Sequence, residues 1–391
     1  MPVIECLHFN GYKPCGLNEV CDSNCPQLQR TQSRILIVHL GALGAVLRST
    51  ALLSMIHQKY PRAHVTWVTQ KPAHELLKNN SMIHRVLTTE SSDLLKIRPP
   101  HFDVAFVIDK SLEAAGVLSH VTVDLIFGFQ VDARSGAILP ATKAANNLWN
   151  IGLSNHLKFH INRRTELELI AEALELGFDS QRPATYNAPL SAAESEEKQA
   201  RRKRWSADGS RQILGLSTGC GNVIAAKKLT IEFHRRLIQK FRDRDDVQIV
   251  LLGGPEDSQR NSSIAEGFGN DVISSETESG LRDGLVSVAA CDVVLTGDSL
   301  GMHMAISQQV QLVAWFGPTC AHEIEFYGLA DVIQSAAHCA PCWKRSCQKD
   351  LMCYDQVDIN EVEKFLNRRL SLCLNPPKLQ KSLDQNLLEL T

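Results

Sequence analysis

The stretch Arg34-Ile-Leu-Ile-Val-His-Leu-Gly-Ala-Leu-Gly-Ala-Val-Leu-Arg-Ser-Thr-Ala-Leu-Leu53 most constrains what this chain can fold into. Residues 35–40 are a short apolar run rich in β-branched side chains, too brief for a helix. That is the pattern of a strand buried on both faces in a parallel sheet. Gly41 and Gly44 then permit a tight turn, and Val46, Leu47, Thr50, Leu53 and Ile56 recur at helical spacing. A strand, a glycine turn and a helix start place backbone N–H groups at the carboxyl end of the strand, where α/β proteins hold anions. The spacing is not the G-x-G-x-x-G dinucleotide fingerprint. By itself the stretch reads equally as a ligand loop and as an ordinary strand-to-helix connection.

With 391 residues and 44% apolar content the chain can bury two cores, so two domains are expected. Lys and Arg number 41 against 43 Asp and Glu, which gives no global charge arguing for nucleic acid. No apolar run approaches the roughly 20 residues of a membrane helix. The opening Met-Pro-Val-Ile-Glu-Cys-Leu-His lacks the basic-then-apolar order of a signal peptide. A cytoplasmic location with reduced thiols is the expectation.

Taken in order, residues 1–33 form a turn-rich arm. From 34 to 189 short strands alternate with helices: 61–69 is a strand led in by proline, 103–109 a buried strand ending in Asp109, and 121–129 a further apolar segment. A charged stretch, 190–210, contains the basic run 201–204. Because Glu194, Glu196 and Glu197 precede that run at helical spacing, it reads as a solvated helix face rather than a nucleic-acid patch. The domain boundary is placed here. The pattern then restarts over 190–356, and 357–391 holds an amphipathic helix that could cross back onto the first half.

In this second half several strands end in polar or glycine turns: Ser217-Thr-Gly-Cys-Gly221, Gly253-Gly-Pro-Glu-Asp257, Gly297-Asp-Ser-Leu-Gly301 and Gly317-Pro-Thr319. In a parallel sheet these lie along one edge, the usual ligand position. The fold class expected is α/β, GT-B: two doubly wound, Rossmann-like domains facing across a cleft, an arrangement that also fits several sugar-phosphate epimerases and periplasmic-type binders.

Of the twelve cysteines, eight are clustered. In a reducing compartment clustered cysteines read as metal ligands before disulfides. Cys6, Cys15, Cys21 and Cys25 are separated by eight, five and three residues, and Cys339, Cys342, Cys347 and Cys353 form C-x2-C-x4-C-x5-C. The C-x-x-C pair lets two thiolates converge on one ion; zinc, iron and an iron–sulfur cluster are not separated by spacing. Buried packing thiols remain the alternative for the arm, and a redox pair or disulfide knot for the late set. The expected role is structural, and no organic cofactor is expected. Cys220, Cys291, Cys320 and Cys373 are scattered and read as packing residues.

The chain resembles glycosyltransferase family 9, typified by ADP-heptose:lipopolysaccharide heptosyltransferases, in a cysteine-rich branch. The resemblance rests on His39-Leu-Gly-Ala-Leu-Gly-Ala-Val-Leu-Arg-Ser-Thr50, Tyr60-Pro-Arg-Ala-His-Val-Thr-Trp-Val-Thr69, Leu252-Gly-Gly-Pro-Glu256, Thr296-Gly-Asp-Ser-Leu-Gly-Met-His-Met-Ala305 and Phe316-Gly-Pro-Thr319. It implies inverting transfer of a heptose-type sugar from an ADP-sugar to a lipopolysaccharide core or related glycan. It also leaves room for weak peripheral contact with the membrane that carries such acceptors. The donor would lie on Ser217, Thr218, Lys227, Glu256, Asp298, Ser299, Gly301 and His303, with His303 donating to a phosphate or to the leaving group. A lysine offsets pyrophosphate charge, hydroxyls donate to phosphate oxygens and a carboxylate accepts from ribose. Packing at its helix start is the other reading of His303.

The sequence departs from the family at two places. After Gly44 the family carries an aspartate taken as the base; here stands Ala45, whose methyl accepts no proton. Asp109, at a neighbouring strand end, is the substitute that topology offers. Where the family has an Arg-Trp-Pro-Thr-Lys-Arg-Trp-like run, Val223, Ile224, Ala225, Ala226 and Leu229 leave Lys227 as the main cation. A catalytically silent scaffold or sugar-binding protein is therefore the alternative function, and an iron–sulfur or redox protein a third.

Overall fold

The apolar runs pair into two sheets in the structure, a computed structural model that describes residues 4–374. The first sheet contains β1 (Ser33–Val38), β2 (Ala63–Thr69), β3 (Arg85–Thr88), β4 (His101–Val107), β5 (Thr122–Val131) and β6 (Ile138–Pro140), ordered β3-β2-β1-β4-β5-β6. The second contains β7 (Gln212–Ser217), β8 (Val247–Leu252), β9 (Val272–Ser274), β10 (Val293–Gly297), β11 (Gln311–Phe316) and β12 (Ala330–Gln334), ordered β12-β11-β10-β7-β8-β9. All pairs are parallel except the edge hairpin β5–β6. Both sheets are thus doubly wound, as expected. The strand order reverses between β1 and β4 and again between β7 and β10, the points where such sheets bind ligands.

The central strands show why. Ile35, Leu36, Ile37 and Val38 are buried between β2 and β4, and Ile213, Leu214 and Leu216 between β8 and β10. One helix opens on a side-chain cap: Thr230 Oγ1 accepts the Phe233 N–H at 3.0 Å and starts Ile231–Phe241, which buries Phe233, Leu237, Ile238 and Phe241.

The chain divides into two compact units. One runs through Ser191 and regains His322–Tyr327; the other comprises Ala192–Ala321 and the chain from Gly328 on. The return of 322–327 to the first unit has no signal in the periodicity.

Two expectations are corrected. The helix Ala192–Trp205 is only in part the solvated face expected: Lys203 and Arg204 are exposed, but Arg201 is buried, with Nη2 2.7 Å from Asp283 and Nη1 2.6 Å from Ser287, and Arg202 lies 2.6 Å from Asp292. These partners lie more than 80 residues away in sequence, so local charge spacing did not reveal them. The late helix Ile359–Leu374 does not cross to the first unit. Val362, Leu366 and Leu370 join the second unit's core with Val293, Leu295 and Val313, and Arg369 Nε bonds Asp331 at 2.8 Å.

Candidate functional site

At the reversal point of the second sheet, Ser217, Thr218, Gly219, Lys227, Lys228 and Thr296 line one depression. The loops approach closely enough to require glycine. A Cβ on Gly219 would lie 2.0 Å from the Asp257 carboxylate, and one on Gly301 would lie 2.5 Å from Oγ of Ser217. Gly301 stands in the first turn of the helix Leu300–Ser307, so this contact ties that helix start to the end of β7.

Lys227 ends the short turn Asn222–Lys227, and its Nζ lies 3.3 Å from Asp298 Oδ2, both side chains being about four-fifths buried. Lys228 turns to Asp257 at 4.0 Å. Each ammonium therefore has a carboxylate that an incoming phosphate would supplement or displace. Ser299 Oγ shares a hydrogen bond of 3.1 Å with Thr296 Oγ1. Glu256 is exposed on the turn after β8, leaving its carboxylate open to hydroxyls. His303 is 5% exposed, inside the helix that follows Asp298.

Three residues not singled out in the sequence hold these loops. Asp257 is buried and accepts the Gly254 N–H at 3.0 Å; burial pushes its carboxyl up, against the pull of that N–H and Lys228. Arg260 donates to the carbonyls of Thr218, at 3.0 Å, and Leu229. Asn261 accepts the Thr218 hydroxyl at 2.5 Å. The available signal was the unbroken polar run 256–261, one proline after a strand-end glycine pair.

The first unit carries its own constellation where its strand order reverses. After β1, the turn is made at Ala42, with φ 49°, and Gly44 already lies inside the helix Leu43–Ser49. The tight-turn role expected of Gly44 is thus corrected, and Gly41 sits in open space. Ala45 falls in that helix's first turn. Asp109, just past β4, accepts the N–H groups of Leu40 and Gly41. Its other carboxylate oxygen is 3.9 Å from Nε2 of His39. Burial lifts the Asp109 carboxyl to about 6 against the pull of those N–H groups and Lys110.

Charged residues continue outward from this point. Burial, reinforced by Arg48, holds His39 at about 3, so its imidazole is neutral. Arg48 lies 2.7 Å from Glu166, and Lys158 lies 3.4 Å from Glu323. Glu323 arrives on the returning segment 322–327; burial, with Glu166 nearby, raises it to about 7 although Lys158 opposes the shift. Two carboxyls near neutrality beside several cations suit proton abstraction next to an anionic or polyhydroxyl ligand.

The sequence pattern of Glycosyltransferase family 9 (heptosyltransferase) matches residues 95–352, well over half of the chain. The chain belongs to glycosyltransferase family 9. Lipopolysaccharide heptosyltransferase 2 of Salmonella typhimurium is 20% identical over 303 residues, covering 73% of this chain and 83% of that protein. Among solved structures, the family 9 glycosyl transferase of Veillonella parvula superposes with a TM-score of 0.65 at 16% identity, over 87% of this chain and 97% of that one. ADP-heptose lipopolysaccharide heptosyltransferase II of E. coli does so with 0.60 at 19% identity, over 86% and 99%. The fold of this family 9 glycosyltransferase is GT-B.

The eight clustered cysteines of this family 9 chain do not fit a metal as placed. Among the described residues no three His, Cys, Asp or Glu side chains are gathered as metal ligands, so neither Cys6, Cys15, Cys21 and Cys25 nor Cys339, Cys342, Cys347 and Cys353 closes a coordination shell. All are free thiols. Cys339 and Cys347 are exposed, whereas Cys353 is turned inward: its sulfur would lie 2.8 Å from a Cβ on Gly317. Among the described residues no helix is long and apolar enough to cross a membrane.

Proposed function

We propose that this family 9 glycosyltransferase moves a heptose from an ADP-activated donor to a hydroxyl of a lipopolysaccharide core or related glycan, with inversion, on the cytoplasmic side and with weak peripheral membrane contact. The observation that carries the donor half is the depression shared by Ser217, Thr218 and Lys227, with Asp298 3.3 Å from the lysine. The names of the relatives support a heptose and an ADP leaving group.

In this reading the acceptor O–H attacks the anomeric carbon, the bond from that carbon to the β-phosphate oxygen breaks, and ADP leaves with the electron pair. Lys227 offsets the charge that grows on ADP, as a cation placed where charge develops must. Ser217, Thr218, Ser299 and the backbone at Gly301 hold the phosphates, Glu256 accepts from ribose, and His303 acts from within the helix behind Asp298. The acceptor's proton goes to Asp109. Held against the turn before the helix that carries Ala45, with its carboxyl lifted to about 6, Asp109 is ionised at neutral pH and basic enough to take the proton.

Calorimetric titration with ADP-heptose, with UDP-glucose as comparison, tests the donor half. Selective binding of ADP-heptose supports it, and equal failure of both overturns it. The silent-scaffold alternative rests on Ala45; turnover that depends on Asp109 excludes it.

A further inference from the structure

A pocket of the first unit lies away from the reversal point, at the opposite, amino-terminal edge of its sheet. Strand register builds it. Arg34 on β1 pairs with His64 on β2, and Arg85 on β3 pairs with Thr66 on β2. His64 and Thr66 are two residues apart and share a face, so all four side chains emerge on one side of the sheet. The other end of that face is covered: Leu36, Val38 and Val68 pack with Ile97, Ala114 and Val117. Those three come from the helices Ser91–Ile97 and Leu112–Leu118, of seven residues each. At 1.5 Å per residue such a helix spans ~10 Å, less than half of a seven-residue strand at ~3.3 Å per residue. The amino end of the face is left to the N-terminal arm, whose Phe9 closes over it. The arm is held by backbone bonds from Leu7 to Gln29 and from Thr31 to Glu5, both 2.7 Å.

This half-open space is about 780 Å³, within the range of small-molecule sites. Phe9, Leu87 and Phe102 supply an apolar wall. Among the described residues neither the Arg34 nor the Arg85 guanidinium has a carboxylate partner; Asp103 accepts the Arg34 backbone N–H, at 2.6 Å, and Lys96 is matched to Asp93 at 2.7 Å. His64 adds no charge: burial, followed by the two guanidinium groups, lowers it to about 4. The pocket thus combines two uncompensated guanidinium forks with an apolar wall. A phosphomonoester dianion matches two forks in charge and in bidentate geometry.

We propose that this edge of the first unit binds an organic phosphomonoester with an apolar body, at a site separate from the donor depression. Its source is either a soluble alkyl phosphate or the headgroup of a phosphatidic-type lipid.

The test is calorimetry of the full chain with hexyl phosphate, with ADP present in saturating amount. Binding is expected, with hexanol and inorganic phosphate each about tenfold weaker or more, because each lacks one half of the match. The double variant Arg34→Gln, Arg85→Gln should lose tenfold or more in affinity at an unchanged melting temperature, while Lys227→Ala keeps it. Phe9→Ala, on the arm and outside the sheet, should weaken hexyl phosphate severalfold and leave inorganic phosphate unchanged. Sedimentation with phosphatidic acid vesicles assigns the source: arginine-dependent co-sedimentation indicates the lipid, and its absence alongside hexyl phosphate binding indicates the soluble ester. Displacement of hexyl phosphate by ADP, or full binding by both the arginine double variant and Phe9→Ala, overturns the proposal. Failure of ADP-heptose binding would leave this site untouched.

Discussion

Asp109 accepts the backbone N–H of Leu40 across 69 residues of sequence. The bond joins the end of β4 to the turn after β1, at the reversal point of the first sheet. It fixes a carboxylate against the turn that precedes the helix carrying Ala45.

Asp109→Asn keeps an oxygen that can accept the Leu40 N–H but cannot take a proton. The expected result is a fall of about 10²–10⁴ in kcat with donor affinity unchanged, measured by ADP release and by calorimetry. In the unaltered protein the rate should fall as pH drops below about 6, because the carboxyl, lifted to about 6, is then protonated. That limb should be missing from the Asn variant.

Lys227→Met removes the cation 3.3 Å from Asp298. Donor affinity should weaken about tenfold or more, as loss of a charge-assisted hydrogen bond does. Titration with ADP reads the effect directly, and affinity equal to that of the unaltered chain would remove Lys227 from the site.

Gly219→Ala places a methyl 2.0 Å from the Asp257 carboxylate, which is itself tied to Gly254. The carboxylate or the loop must shift. A loss of ~1–3 kcal/mol, together with weaker ADP binding, should appear in urea unfolding and calorimetry.

Arg201→Met leaves Asp283 without the guanidinium 2.7 Å away and Ser287 without its donor. Removing one partner of a buried pair costs about 3 kcal/mol or more. The loss should appear in the unfolding of the second unit, with the first unaffected.

Glu323 gives a stability test with a definite sign. Its folded value of about 7 lies above the ordinary 4.5, so between those values the folded chain holds a proton that the unfolded chain has released. Stability should decline as pH rises through this window. Asp109 acts in the same sense between its ordinary 3.8 and about 6. Melting curves of Glu323→Gln across pH 4–8 should show a shallower decline than the unaltered protein, and an equal slope would assign the decline elsewhere.

The legible part of this protein was local. Short β-branched runs, followed by glycine turns and then by residues at helical spacing, announce strand–turn–helix units because strand burial and turn conformation depend on neighbours in sequence. Ser217, Lys227 and Asp298 could be named only through the family resemblance, with which the strand-end turns at Ser217 and Asp298 agree. Gly219 and Gly301 show the limit. A glycine turn is visible in sequence, but the Asp257 carboxylate and the Ser217 hydroxyl that exclude a side chain there are not.

By itself, then, the sequence determined two doubly wound α/β halves and the strand ends that carry polar turns. Tertiary structure alone decided that Asp109 meets the β1 turn, that Asp257, Arg260 and Asn261 brace the loops after β7 and β8, and that 322–327 returns to the first unit with Glu323 beside Lys158. It also set Cys353 close against Gly317 and drew Arg201 into the interior. The physical reason is common to all of these. Periodicity records which face of an element is buried, but the partner on that face is set by strand order and chain return, through contacts between residues tens to more than a hundred positions apart.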